Sequence, residues 1–169
     1  MKTREDAREA GMTMIELIIG MAIGVMVVVL AVAVLVNTLR SQATVTASTK
    51  AATQGQNVSD LIDQAVREAT AIRVSNTRLD VDTPAGCQAF AVVGDGVRHL
   101  ASGAAIGAAT SSWPTLADSV SQVGSSPYFA ASTGGVTYSF RLQGADGAVD
   151  IVSRADQRVT GGSGATCGF

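Results

Sequence analysis

Residues 12–36 have the sequence MTMIELIIGMAIGVMVVVLAVAVLV, in which Glu16 is the one charged side chain. As an α-helix this segment would be about 37 Å long, which exceeds the roughly 30 Å hydrocarbon core of a bilayer. A secretory signal peptide has a shorter apolar stretch, of about 7–15 residues. The segment therefore predicts a transmembrane helix.

The basic residues that flank this segment indicate how it crosses the membrane. Three of them, Lys2, Arg4 and Arg8, precede it, whereas Arg40 and Lys50 follow it. Basic residues accumulate on the cytoplasmic side of a membrane helix, and acidic residues contribute little to its orientation. We therefore expect a cytoplasmic N-terminus and an extracytoplasmic C-terminal part.

Glu16 is unusual in such a segment. An ionised carboxylate in the hydrocarbon region costs at least a few kcal/mol, so it indicates a functional residue that needs a partner. No basic residue lies in residues 12–36 to pair with it. The alternative is that Glu16 lies close enough to the cytoplasmic interface to remain hydrated, and its position alone does not decide between the two.

The residues around Glu16 form a recognisable motif. Gly11-Met12-Thr13-Met14-Ile15-Glu16-Leu17-Ile18 follows a short hydrophilic leader and opens the apolar segment. This pattern resembles the class III signal of type IV prepilins and pseudopilins, with Met12 where that family usually has Phe. The resemblance covers roughly residues 1–40. It implies that a prepilin peptidase cleaves between Gly11 and Met12 and methylates the new amine of Met12.

The same resemblance implies a partner for Glu16. Cleavage would create a positive amine at Met12, which could pair with the Glu16 carboxylate of a neighbouring subunit. A buried ion pair adds little net stability but penalises any register that leaves one charge alone. We therefore expect Glu16 to act in assembly. The expected partners are the prepilin peptidase, other pilin-like subunits and the inner-membrane assembly platform.

Gly20 and Gly24 form a small-x-x-x-small pair within the segment. Glycines at this spacing let a second helix approach closely in a membrane, although such a pair also occurs by chance. Residues 12–36 contain no Pro, so no proline-dependent kink is expected in the helix.

Downstream, the spacing of apolar residues predicts that the helix continues as an amphipathic half over residues 37–73. The apolar positions recur at steps of three and four, at Val58, Leu61, Ile62, Ala65, Val66, Ala69 and Ile72. The charged residues between them indicate a solvated outer surface, formed by Asp60, Asp63, Arg67 and Glu68. Residues 37–56 are polar and contain Gly55, where a bend or break is expected, so continuity stays open.

From residue 74 the pattern changes from helical to alternating, which predicts strands. The clearest signals are a tight turn at Gly94-Asp95-Gly96 and a hairpin formed by residues 135–142 and 148–154. Residues 101–112 are rich in small residues and predict a loop. We expect this hairpin to pair with the earlier strands in one small antiparallel sheet.

These patterns predict an α+β fold, in which a long N-terminal helix packs on a small antiparallel β-sheet. The expected organisation is a leader peptide (1–11), a transmembrane half of the helix (12–36), an amphipathic half (37–73) and an extracytoplasmic β-rich domain (74–169).

Cys87 and Cys167 are the two cysteines of the chain. They are either two separate buried thiols or one disulfide that ties the C-terminal tail to the start of the β region. We expect the disulfide, because export to an oxidising compartment favours it.

Composition and motifs argue against several classes of function. The formal net charge is −2, and no basic cluster is present, so direct nucleic-acid binding is not expected. His99 has no nucleophile pattern beside it, and Gly161-Gly162-Ser163-Gly164 lacks the Lys-Ser/Thr ending of a phosphate-binding loop. We expect no enzyme activity, cofactor or metal.

The sequence therefore predicts a structural subunit, a minor pilin or a J-type minor pseudopilin, assembled into a pilus or pseudopilus. The alternative is a membrane-anchored extracytoplasmic binding module that does not polymerise. A pilus, a type II secretion system and a DNA-uptake filament share the same N-terminal signal, so the motif does not distinguish these machines.

Overall fold

The computed structural model describes residues 13–144, 147–158 and 167–169. The chain divides into two compact units, residues 1–43 and 44–169. The element order is α1 (Met14–Glu68), β1 (Ala71–Ser75), β2 (Arg78–Thr83), β3 (Gly86–Val93), β4 (Gly96–Ser102), β5 (Thr115–Ala117), β6 (Val120–Ser121), β7 (Phe129–Ser132), β8 (Gly135–Gln143) and β9 (Ala148–Asp156).

In the first unit, the described residues 14–43 are helical and every side chain is exposed. This part of α1 is long and apolar enough to cross a membrane, which makes it a candidate membrane span by length and composition. A helix that is apolar all round is normally covered by lipid or by other helices. As predicted, a long apolar helix near the N-terminus is thus a candidate membrane span.

In the second unit, α1 is amphipathic and ends earlier than predicted. Val58, Ile62 and Val66 are buried on its inner face. The helix ends at Glu68, before the predicted boundary at residue 73, and Ile72 belongs to β1. The helix stops because the next residues join the sheet.

A pair of bonds at residue 70 redirects the chain from helix to strand. The backbone N–H and the hydroxyl of Thr70 both donate to the backbone oxygen of Asp82, at 2.8 and 3.1 Å. From there the residues of β1 pair in register with β2, Ala71 opposite Asp82.

The expected break at Gly55 is absent, because α1 includes all of residues 37–56. Gly55 is buried. A Cβ at this position would overlap Cδ1 of Ile151 on β9 and lie 3.6 Å from Cδ1 of Leu142 on β8. This glycine therefore lets the helix and β9 approach closely, a role that the sequence interpretation did not include.

The first sheet is an antiparallel meander of five strands in the order β1-β2-β3-β4-β5. Its predicted turn at residues 94–96 is confirmed, since β3 and β4 pair from Val93↔Gly96 to Cys87↔Ser102. Gly94 has a φ of 66°, which favours glycine at this tight turn.

The second sheet is built around β8. On one side β8 pairs with β9 over its full length. On its other side, β6 pairs with residues 141–142 and β7 with residues 135–138, so the two short strands share one edge. The predicted hairpin is thus confirmed, but its expected partners were wrong. The short strands β6 and β7, rather than the earlier ones, complete its sheet.

The main core of the second unit lies between α1 and both sheets. Its largest buried side chains come from all three elements and include Ile62, Leu79, Phe90, Phe129, Tyr138, Phe140 and Leu142. The edge-to-face contact of Phe129 and Phe140, with ring centroids 5.4 Å apart, is a favourable aromatic geometry. The predicted α+β class, with the N-terminal helix packed on antiparallel β-structure, is confirmed.

A smaller core lies on the other face of the first sheet. Trp113 covers Ala89 and Ala91 of β3, and Ile106 and Ala109 pack beside them. Residues 101–112 were predicted to form a loop. Residues 101–102 instead complete β4, and the chain after them folds back over the sheet.

Candidate assembly surface of the N-terminal helix

The start of α1 places Glu16 in its first turn. The backbone oxygen of Thr13 accepts hydrogen bonds from the N–H groups of Glu16, at 3.0 Å, and Leu17, at 3.2 Å. Thr13 and Glu16 therefore have the T-x-x-E spacing of a helix N-terminus, and an acidic side chain there interacts favourably with the helix dipole. The sequence interpretation missed this role of Thr13, although the spacing signals it.

Glu16, Gly20 and Gly24 lie on one face of the helix, because residues four apart are neighbours on its surface. Apart from the adjacent residues and the helix's own backbone, no described atom lies within 4 Å of the position that a Cβ would take at either glycine. Gly20 and Gly24 therefore form a strip that is open to a second helix, with the Glu16 carboxylate at its N-terminal end.

The predicted cleavage and methylation residues, Gly11 and Met12, lie outside the described residues. Within residues 13–144, 147–158 and 167–169, no ion pair includes Glu16. Its expected counter-charge, the amine of a processed Met12, would come from another subunit.

The predicted disulfide is confirmed: Cys87 and Cys167 are bonded, with their Cα atoms 5.6 Å apart. The bond fixes the last residues of the chain beside β3. The ring of Phe169 lies 4.9 Å from the guanidinium carbon of Arg73 on β1. Two contacts thus hold the C-terminus on the first sheet.

A buried carboxylate organises the same region. Asp80 is 5% exposed and accepts hydrogen bonds from two arginines. Arg73 donates to Oδ2 from Nε at 3.2 Å and from Nη2 at 3.0 Å, and Arg78 donates to Oδ1 from Nε at 2.8 Å. Charge-assisted bonds of this kind offset the cost of burying a carboxylate.

Arg78 extends this network to the loop before β5. Its Nη1 and Nη2 donate to the backbone oxygens of Gly107, at 2.6 Å, and Ile106, at 2.9 Å. Its guanidinium carbon also lies 5.4 Å from the centre of the Trp113 ring. The sequence interpretation missed this cluster. The sequence signal that could have indicated it was a charged residue, Asp80, within an alternating strand pattern.

His99 packs in the sheet. Its ring stacks on Phe90 at 4.6 Å between centroids, and Nε2 lies 3.2 Å from Oε1 of Gln88. Burial lowers the pKa of His99 below its usual value, because it disfavours the charged imidazolium. Among the described residues, no group of three or more His, Cys, Asp or Glu side chains could hold a metal ion.

No protein-family model matches the chain, and neither a curated protein nor a solved structure matches it.

Proposed function

We propose that this chain is a type IV pilin-like structural subunit, a minor pilin or pseudopilin that is processed by a prepilin peptidase and assembled into a filament. The observation that carries the proposal is the fully exposed apolar helix of residues 14–36, whose single charge follows the Gly11-Met12 motif.

In this proposal, the apolar surface of the exposed helix is buried in two different ways. Before assembly, lipid covers its apolar surface, with the N-terminus in the cytoplasm and the second unit outside. After assembly, the helices of neighbouring subunits cover it, and the strip formed by Glu16, Gly20 and Gly24 is a suitable contact. Close helix packing at the glycines would bring the Glu16 carboxylate near the Met12 amine of the adjoining subunit.

The second unit supports an extracytoplasmic location. It contains a disulfide, and disulfides persist in oxidising compartments outside the cytoplasm. The subunit would end in a surface filament or a periplasm-like one, with other pilin-like subunits and the inner-membrane assembly platform as its partners.

A second candidate function is a membrane-anchored binding module that does not polymerise. The same observation, a helix long enough to span, favours it, because an anchor needs no processing. The two functions differ in whether the first 11 residues are removed.

Mass spectrometry of the intact protein, extracted from its native membrane, tests the proposal. We expect a chain that starts at an N-methylated Met12. Gly11→Val should block the cut, because a bulky side chain obstructs the peptidase, whereas Ala10→Val at the neighbouring leader position should not. Intact Met1 in assembled material, or normal processing of Gly11→Val, would contradict the filament function.

A further inference from the structure

The last strand of the second sheet has a long, regular outer edge. Among the described residues, β9 pairs with β8 alone. The pairing is unbroken from Gly135↔Asp156 to Gln143↔Ala148, without a bulge. A long regular edge of this kind is a template for pairing with another strand.

The backbone groups of that edge alternate in direction. The N–H of Gln157 donates to the backbone oxygen of Gly134 at 2.8 Å, which makes this pair a hydrogen-bonded one. Hydrogen-bonded pairs recur every second residue in an antiparallel ladder. It follows that residues 149, 151, 153 and 155 bond to β8, while the N–H and C=O groups of residues 148, 150, 152, 154 and 156 point away from it.

The same five residues have exposed side chains. Their sequence along the strand is Ala148, Asp150, Val152, Arg154 and Asp156. Val152 is 70% exposed, and it is the one large apolar side chain exposed outside α1 in the described part of the chain. The charges on either side of Val152 have opposite signs.

We propose that β9 pairs in antiparallel fashion with β9 of a second copy of this chain, about a two-fold axis at Val152. Asp150 then lies opposite Arg154 of the second copy, and Arg154 lies opposite its Asp150. Val152 lies opposite Val152, so the exposed apolar side chains cover each other. In this register, the outward N–H groups of each strand can donate to the outward C=O groups of the other strand.

The charge pattern specifies this register. A shift of two residues in one direction places Asp156 opposite Asp150 of the second copy, which is repulsive. A shift in the other direction leaves Asp150 opposite Val152. Edge strands that avoid pairing commonly carry charges that repel a second copy, whereas the charges here attract one in the register that pairs the whole strand.

Contacts within each chain hold the charged side chains in place for this pairing. Arg141 on β8 donates from Nε and Nη2 to the two carboxylate oxygens of Asp150, at 2.6 and 2.7 Å. Arg154 donates from Nε to Asp156 at 2.7 Å. Across the two-fold axis, Arg141, Asp150 and Arg154 of the second copy would form one row of alternating charge.

This dimer goes beyond the proposed filament function and does not depend on it. An isologous contact uses the edge of both copies and closes after two chains, so it cannot by itself build a filament. It also requires neither cleavage at Gly11 nor contacts along α1.

Cysteine cross-linking of the full chain in detergent tests the pairing. Val152→Cys adds one thiol to a protein whose own cysteines are bonded to each other. In a hydrogen-bonded antiparallel pair, Cα atoms are about 5.5 Å apart, within the range of a disulfide. Mild oxidation should therefore give a covalent dimer. Asp156→Cys is the control, because residue 156 lies opposite residue 148 and far from its own copy.

Two charge reversals in the Val152→Cys background test the register. Asp150→Arg alone and Arg154→Asp alone each bring like charges together, and each should lower the dimer yield about tenfold or more. A mixture of these two variants, carrying different tags, should recover the yield as a heterodimer, because each arginine then meets an aspartate. That recovery also shows that both variants are folded.

Three outcomes would overturn the proposal. The first is that Val152→Cys cross-links no better than Asp156→Cys. The second is that the mixture of charge variants cross-links no better than either variant alone. The third is a monomer with a free thiol at position 152 at every protein concentration tested. None of these readouts depends on processing or filament assembly, so they leave the proposed function unaffected.

Discussion

The hydroxyl of Tyr138 on β8 donates a hydrogen bond to Oδ1 of Asp63 on α1, across 2.9 Å. Tyr138 is 1% exposed, so this contact joins the second sheet to the helix inside the second unit. Asp63 was predicted to belong to a solvated outer surface, and it is half-buried instead. The prediction failed because a helical pattern does not show which polar residue at the edge of the apolar face meets a partner.

Tyr138→Phe should lower the free energy of unfolding by about 1–2 kcal/mol, because the half-buried Asp63 carboxylate loses its donor. The urea midpoint of the full chain in detergent measures this. Tyr128→Phe is the matched control. Tyr128 is half-buried, and among the described residues its hydroxyl has no hydrogen bond, so the midpoint should hardly change. Equal effects of the two substitutions would show that the bond to Asp63 contributes nothing.

Gly55→Leu should destabilise the second unit by about 1–3 kcal/mol, since the added side chain must displace Ile151 and Leu142. Leu is a better helix former than Gly, so a purely helical role would predict the opposite sign. Gln56→Leu, at the adjacent exposed position, should have little effect. Thermal unfolding of both variants gives the comparison, and a stabilised Gly55→Leu would rule out close packing at this site.

Asp80→Asn should lower stability by about 2–4 kcal/mol, because it leaves the half-buried Arg78 without its charged partner. It should also loosen the loop that carries Trp113, the one tryptophan of the chain. We therefore expect a red shift of its fluorescence before global unfolding. Asp156→Asn removes an exposed ion pair with Arg154 and should cost less than about 1 kcal/mol. Unchanged fluorescence in Asp80→Asn would contradict the proposed link to the loop.

His99 should make the stability depend on pH below its usual pKa of about 6.5. Because burial lowers the pKa of His99 in the folded state, the unfolded state binds the proton more readily. The contribution of neutral His99 to the free energy of unfolding is fully present above pH 6.5. It is lost as the pH falls from there through the lowered pKa of the folded state. Between about pH 7.5 and pH 5.5, the urea midpoint should therefore fall more in the parent than in His99→Gln. If the urea midpoints of the parent and of His99→Gln fell equally with pH, protonation of His99 would not be linked to folding.

The sequence predicted those elements whose patterns are local. The apolar segment before residue 36 is a long uninterrupted run, the hairpin of β8 and β9 combines an alternating period with turn residues, and both elements are present. The strands β5, β6 and β7 were not predicted. They are two to four residues long, too short to show an alternation, and their pairing depends on β4 and β8 elsewhere in the chain.

The same reasoning explains what was missed at the sites. The motif at Glu16 is contiguous, so it is visible in the sequence. The T-x-x-E spacing that begins at Thr13 is also contiguous and could have been recognised in the same way. The roles of Gly55 and Asp80 depend on residues that are distant in the chain, Ile151 in one case and the loop at Gly107 in the other. Such contacts are set by the packing of elements, which neither propensity nor period specifies.

In the proposed function, Glu16 acts in assembly rather than in membrane insertion. Glu16→Gln removes a charge from the span, so insertion and cleavage should be unharmed or slightly improved. Incorporation into filaments should fall, because the amine of Met12 loses its buried counter-charge. That loss costs about 3–5 kcal/mol in comparable pairs, or roughly a hundredfold or more in an equilibrium constant. Glu68→Gln, at the exposed last turn of the same helix, is the matched control and should assemble normally.

The measurement that tests this claim most directly is the ratio of each variant in sheared filament fractions to the same variant in the membrane pool. We expect Glu16→Gln to accumulate in the membrane, cleaved after Gly11, and to be depleted from filaments, whereas Glu68→Gln should match the parent in both fractions. A Glu16→Gln chain that enters filaments as well as the parent would contradict the account and leave Glu16 as an interfacial residue of an ordinary anchor.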